Sequence, residues 1–159
     1  MESFDPDDTD LRILAALQRD ASQSNQVLAE RLAISPPTCL RRIRRLREAG
    51  WIEREVAILD ADRVGPLLTA VVEVSLDRQD AASLDGFEDR VARDDAVQQC
   101  YRVSPGPDFV LVVTVRDMPA YQALAQRLFT SDANVRNVKA FFSVRRAKFS
   151  ARVPLPAKG

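Results

Sequence analysis

Through the first sixty residues apolar positions recur every three or four places, and the breaks between runs are small and polar. Leu11, Ile13, Leu14 and Leu17 form the first run, the period of a helix with one buried face. Asp7, followed three residues later by Asp10, can cap and charge its start, and the spacing predicts a helix to about Arg19. Ser22 to Asn25 interrupts the pattern, and Val27, Leu28 and Leu32 predict a second, shorter helix from about Asn25 to Leu32. Only Ala33 and Ile34 separate it from SPPTCLRRIRRLREAG, Ser35 to Gly50. Here Ser35 is a good N-cap, Pro36 suits a first helical position that needs no N–H, and Gly50 can close the helix in a left-handed conformation.

On that third helix Cys39, Ile43 and Leu46 share a packing face, and Thr38, Arg41, Arg42 and Arg45 are expected to fan out opposite it, with Arg44 and Arg47 nearer the packed side. Two helices joined by so tight a turn must cross steeply. With the first helix burying their inner faces they make a helix-turn-helix, whose second helix can enter a major groove; a generic helical bundle is the alternative. Ala33 stands where glycine is usual in the turn, and a left-handed alanine costs on the order of 1 kcal/mol. Trp51 to Leu59, WIEREVAIL, reads as a short wing or linker strand, with Trp51 a core plug under the helices. Asp60 to Pro66, broken by Gly65-Pro66, reads as the domain boundary.

Beyond Leu67 the period changes. Thr69 to Leu76 is a β-branched strand, Ala81 to Arg93 a helix, Val97 to Val103 a strand, SPGPD at 104–108 a turn, and Phe109 to Val115 a strand. A helix from Pro119 to Phe129, started by Asp117, and a strand from Val135 to Val144 complete the order βαββαβ. This is the ferredoxin-like arrangement, an antiparallel sheet with both helices on one face. The strand FVLVVTV is apolar at almost every position, so a second copy packed on the open face is the simplest cover, giving a homodimer. The fold class is therefore α+β, with a winged helix-turn-helix over residues 1–60. A ferredoxin-like dimerisation domain with a basic C-terminal tail takes residues 61–159, the domain to which the resemblance named below assigns effector sensing.

Composition narrows the chemistry. Of 159 residues 46% are apolar, enough for a core, and there is no histidine, which removes imidazole base catalysis and nucleophile–histidine pairs. Cys39 and Cys100 read as buried thiols, and no metal-ligand spacing appears, so neither an enzyme nor a cofactor is expected. Twenty-three basic residues balance twenty-three acidic ones, but five arginines crowd the third helix and every charge from Arg136 onward is basic. That segregation fits local contact with a polyanion. The acidic start lacks the basic and apolar regions of a signal peptide and no run of ~20 apolar residues occurs, so a cytoplasmic protein off the membrane is expected.

The stretches DDTDLRILAALQRDA, LAERLAISPPTCLRRIRRLREAGWI, VEVSL and DMPAYQAL, with the late Lys148, together resemble the leucine-responsive and asparagine-responsive regulators, the Lrp/AsnC or feast/famine family, over nearly the whole chain. The resemblance implies a transcription regulator that binds double-stranded DNA and whose dimers often assemble into octamers. It also implies an amino acid or related metabolite as effector, lodged between dimers at the loop joining the second and third strands and at the segment before the last. DNA contacts would come from Ser35, Thr38, Arg41, Arg42 and Arg45. The candidate effector residues are Ser104, Gly106, Asp108 and Asn134. In that loop Ser104 and Asp108 match the family's Ser-Gly-Asp-Phe-Asp, while Pro105 and Gly106 replace a glycine and an aspartate; Ala133-Asn134-Val135 replaces a Pro-Gly-Val turn. Ser104 and Asp108 could bind an effector's amino group or simply stabilise a tight turn. An effector-independent architectural DNA-binding protein and a pure oligomerisation module remain as alternatives.

Overall fold

The computed structural model describes residues 4–156. These form two compact units, one of residues 4–58 with 148–156 and one of residues 59–147. The units divide between residues 58 and 59, ahead of the Asp60–Pro66 segment read as the boundary. The basic tail, however, belongs to the first unit and not the second: Leu155 packs against the first unit's core, and Gln18 hydrogen-bonds the backbone of Val153.

In the first unit α1 (Asp8–Leu17), α2 (Asn25–Leu32) and α3 (Pro36–Glu48) are each started by a side-chain cap. Asp7 and Asp10 form a reciprocal capping box on α1, Ser24 caps α2 and Ser35 caps α3. Between α2 and α3, Ala33 is left-handed at φ 55°, ψ 44°, as the tight turn requires. Asn25 Nδ2 donates to the Pro36 carbonyl at 2.8 Å, tying the start of α2 to the start of α3. Ile13, Leu14, Leu28, Ala29, Leu32, Cys39, Ile43 and Leu46 make the core. α3 ends with Gly50 at φ +77°, with the Trp51 N–H on the Leu46 carbonyl and the Gly50 N–H on Arg47, a Schellman closure.

Two expectations fail after Gly50. No strand forms between Trp51 and Leu59, which run as extended coil, because no described neighbour offers that segment a ladder of backbone partners. Trp51 is 40% exposed and plugs nothing, since Leu155 and Ile52 occupy the edge of the core instead.

The second unit contains a short α4 (Ala61–Val64), then β1 (Leu68–Leu76), α5 (Ala81–Ala92), β2 (Val97–Arg102), β3 (Phe109–Val115), α6 (Met118–Ala125) and β4 (Val135–Phe142). The strands form one antiparallel sheet in the order β2-β3-β1-β4, the ferredoxin-like topology. α6 is shorter than its pattern predicted: from Gln126 to Thr130 the chain widens into a π-turn. Alternation along β1 and β3 sends Ala70, Val72, Val74, Leu76, Phe109, Leu111 and Val113 to one face, under Phe87 and Val91 of α5 and Tyr121 and Leu124 of α6. Cys100 packs at that core's edge and Cys39 is buried in the other; both thiols are free. On the open face Val71 lies opposite both Val112 and Phe141, with Val71 and Phe141 exposed.

Candidate nucleic-acid interface and effector loop

The arginines of α3 divide differently from the expectation. Arg42 is folded inward: its Nη1 sits 2.7 Å from Asp7 Oδ2 and 2.8 Å from Asp10 Oδ1. Arg45 Nη2 reaches the other oxygen of Asp10 at 2.7 Å, and its guanidinium lies 4.3 Å from the Phe4 ring centroid. Asp10 is the one fully buried charged residue among the described positions, so α1 places a carboxylate under α3 and two arginines neutralise it. The hydrogen bond from Arg42 holds the Asp7 carboxyl below its ordinary range, with the Asp10 backbone N–H adding to it, and the hydrogen bonds to the Asp7 and Asp10 carboxylates raise Arg42. Arg47 is paired with Glu55 at 2.6 Å.

That leaves Arg41 and Arg44, both exposed, without an ion pair among the described residues. Arg44 was assigned to the packed side, and Arg42 to the outer face; the structure exchanges them. Helix geometry explains why: steps of 100° put Arg44 roughly 140° from Cys39 and Arg42 only about 60° from it. At the helix start the Ser35 hydroxyl donates to Thr38 Oγ1 at 2.8 Å and accepts the Thr38 N–H at 3.4 Å. Ser35 is exposed and Thr38 half-buried, beside the first turn of α3.

Of the four effector candidates, Asp108 in the β2–β3 loop and Asn134 in the turn before β4 reach the end of β1, while Ser104 and Gly106 lie in the β2–β3 loop. Asp108 is engaged structurally: its Oδ2 accepts the Leu76 N–H at 2.7 Å, and its own N–H donates to the Val74 carbonyl at 2.9 Å. Asn134 brackets Arg78, with Oδ1 accepting the Arg78 N–H at 2.8 Å and Nδ2 donating to the Arg78 carbonyl at 3.2 Å. Both side chains thus extend the sheet past the bulge at Ser75/Leu76. Ser104 and Gly106 are exposed in the loop, Gly106 at φ +123°. Among the described residues no group of His, Cys, Asp or Glu is arranged to hold a metal, and no helix is long and apolar enough to cross a membrane.

A helix-turn-helix beside a ferredoxin-like unit is the architecture that the sequence comparisons match. Residues 6–53 fit the family described as winged helix-turn-helix DNA-binding, and residues 69–153 fit the Lrp/AsnC ligand binding domain. The chain belongs to the Lrp/AsnC family of transcriptional regulators. It is 36% identical to the leucine-responsive regulatory protein of Rhizobium meliloti (strain 1021), over 94% of this chain and 96% of that protein. An AsnC family transcriptional regulator from Agrobacterium tumefaciens superposes with a TM-score of 0.85 at 31% identity, covering 94% of this chain and 97% of that one. A transcriptional regulator from Neisseria meningitidis, solved as a complex with L-methionine, gives the same TM-score at 29% identity and the same coverage. This Lrp/AsnC protein therefore keeps the family's two modules, with Arg41 and Arg44 as the arginines of α3 that make no ion pair among the described residues and Pro105-Gly106 in its β2–β3 loop.

Proposed function

We propose that the protein is a sequence-specific transcription regulator that inserts α3 into the DNA major groove, with Arg41 and Arg44 contacting phosphates and guanine edges. One observation carries this reading: these two guanidinium groups are unpaired on the outward face, while Arg42 and Arg45 are spent on Asp10. Ser35 and Thr38 contribute at the helix start, where backbone N–H groups favour a phosphate, and Arg45 lies at the rim with 44% of its side chain exposed. Arg42 fixes the angle of α3 and does not touch DNA. Single Arg41→Ala and Arg44→Ala variants should each weaken operator binding by roughly tenfold or more and lower the salt slope by about one. Unchanged affinity and slope in both would overturn the docking.

The second unit senses an amino acid or related metabolite at the β2–β3 loop and the turn before β4. The match to a ligand binding domain and the methionine complex of the Neisseria relative support this. Asp108 and Asn134 shape the loop, and Ser104 with the Gly106 backbone is the part open to a ligand. The ligand acts by its differential affinity for two assembly states. The assemblies are homodimers joined through the open sheet face and higher oligomers such as octamers, working in the cytoplasm without a cofactor. A thermal-shift screen of the twenty amino acids should show one or a few that raise the melting temperature. If none does while DNA binding is intact, the protein is an effector-independent architectural regulator.

A further inference from the structure

The C-terminal segment forms an extended strap on the unit that carries α3. Gln18, at the end of α1, grips it like a neighbouring strand, donating Nε2–H to the Val153 carbonyl at 3.2 Å and accepting the Val153 N–H at 2.7 Å. Leu155 anchors the strap to the core of the unit, and Pro154 beside it limits the backbone.

Between strap and helix lies an open groove of about 510 Å³ whose charged lining consists of Arg19, Lys148 and Arg152, with Gln18 and Ser150 as neutral polar groups. All three cations are exposed. Among the described residues none of them has a carboxylate partner, although Arg42, Arg45, Arg47 and Arg54 of the same unit all do. Asp20, the acid next to Arg19, is turned away onto Ser22, whose N–H and hydroxyl it accepts at 2.9 and 2.6 Å. Three like charges around one concavity repel one another, and a chain with equal acids and bases had carboxylates available to relieve them. A bound anion would relieve them.

We propose that this groove is a second phosphate-binding site, which grips the DNA backbone outside the stretch read by α3. It rests on the assignment of α3 as the reading helix, in the same unit. Two cations on the strap and a third at the end of α1 suit a run of successive phosphates, and contacts of this kind add affinity and salt dependence without reading bases. Free polyphosphates share the ligand chemistry and are separated by the test.

The full-length protein is assayed on a duplex selected from a random-sequence pool, once trimmed to the protected core and once with ten or so extra base pairs on each side. Arg19→Gln, Lys148→Gln and Arg152→Gln, singly and together, are compared with wild type, with melting temperatures confirming that these surface variants fold. The expected result is a loss of affinity on the long duplex, with the salt slope falling by about one per cation removed, and no change on the trimmed core. Equal loss on both duplexes, or no loss on either, overturns the placement. Tripolyphosphate binding that the variants abolish, with DNA slopes unchanged, assigns the groove to a free anion and also overturns it. Arg41→Ala and Arg44→Ala are the internal controls: if both leave core binding intact, the assignment of α3 fails, whereas a normal loss there with unaltered strap variants sinks only the groove.

Discussion

Asp10 and Arg44 sit at opposite ends of one design. Asp10 is buried and meets Arg42 and Arg45 at 2.8 and 2.7 Å, so removing it takes the carboxylate from Arg45 and leaves the largely covered Arg42 with Asp7 alone. Losing these charge-assisted hydrogen bonds costs about 2 kcal/mol, and urea denaturation of Asp10→Ala should show that loss. Arg44→Ala should instead leave the urea midpoint unchanged while weakening DNA binding. The two substitutions thus separate scaffold from contact. Asp7 adds a pH signature. Its folded-state pKa is held below the unfolded value of about 4 by Arg42 first and the Asp10 N–H second. The associated stability is complete above that value and lost as pH falls through the folded one. The gap in melting temperature between wild type and Asp7→Asn should therefore be widest above pH 5 and close towards pH 2; a gap that stays constant would mean the ion pair contributes nothing. Side-chain direction at Arg42 was hidden in the sequence because a polar residue beside a packing face reads as solvated. Only the carboxylates thirty-two and thirty-five residues earlier turn it inward.

At the scale of elements, legibility followed locality. α2 and β3 were predicted with the bounds they have, because caps and apolar spacing are written within a few residues. The wing strand was not, since a strand exists only with a partner and Trp51–Leu59 has none. The π-turn that shortens α6 and the strap that Gln18 holds across 135 residues have no periodic signal at all. The turn between α2 and α3 is the local feature that tests best. Ala33 occupies φ 55°, where an L side chain is disfavoured by roughly 1–2 kcal/mol, partly offset by the greater unfolded-state freedom of glycine. Ala33→Gly should therefore raise stability by about 0.5 kcal/mol in thermal unfolding, and a lowered melting temperature would show that the turn is not strained.

The whole molecule poses a question that neither unit answers alone, which is what covers the open face of the sheet. Across it Phe141, Val71, Val112 and Gln99 stand directly opposite one another on the four strands, flanked by Tyr101 opposite Val110 and by Glu73 opposite Lys139. Phe141 is 55% exposed and Tyr101 53%, an apolar band with polar margins of the kind that marks a protein interface. A second copy would bring the same band and, by two-fold symmetry, a Lys139 and a Glu73 of its own to this face. Face-to-face pairing buries the band at a sheet spacing of about 10 Å. An aspartate at the centre of that layer would have to be buried without a partner. Phe141→Asp should therefore sediment as a monomer with both units folded by circular dichroism. Because two recognition helices on one protein bind far more tightly than one, its operator affinity should fall by about a hundredfold, while binding to a single half-site stays as in wild type. A variant that remains dimeric would move the interface to another surface.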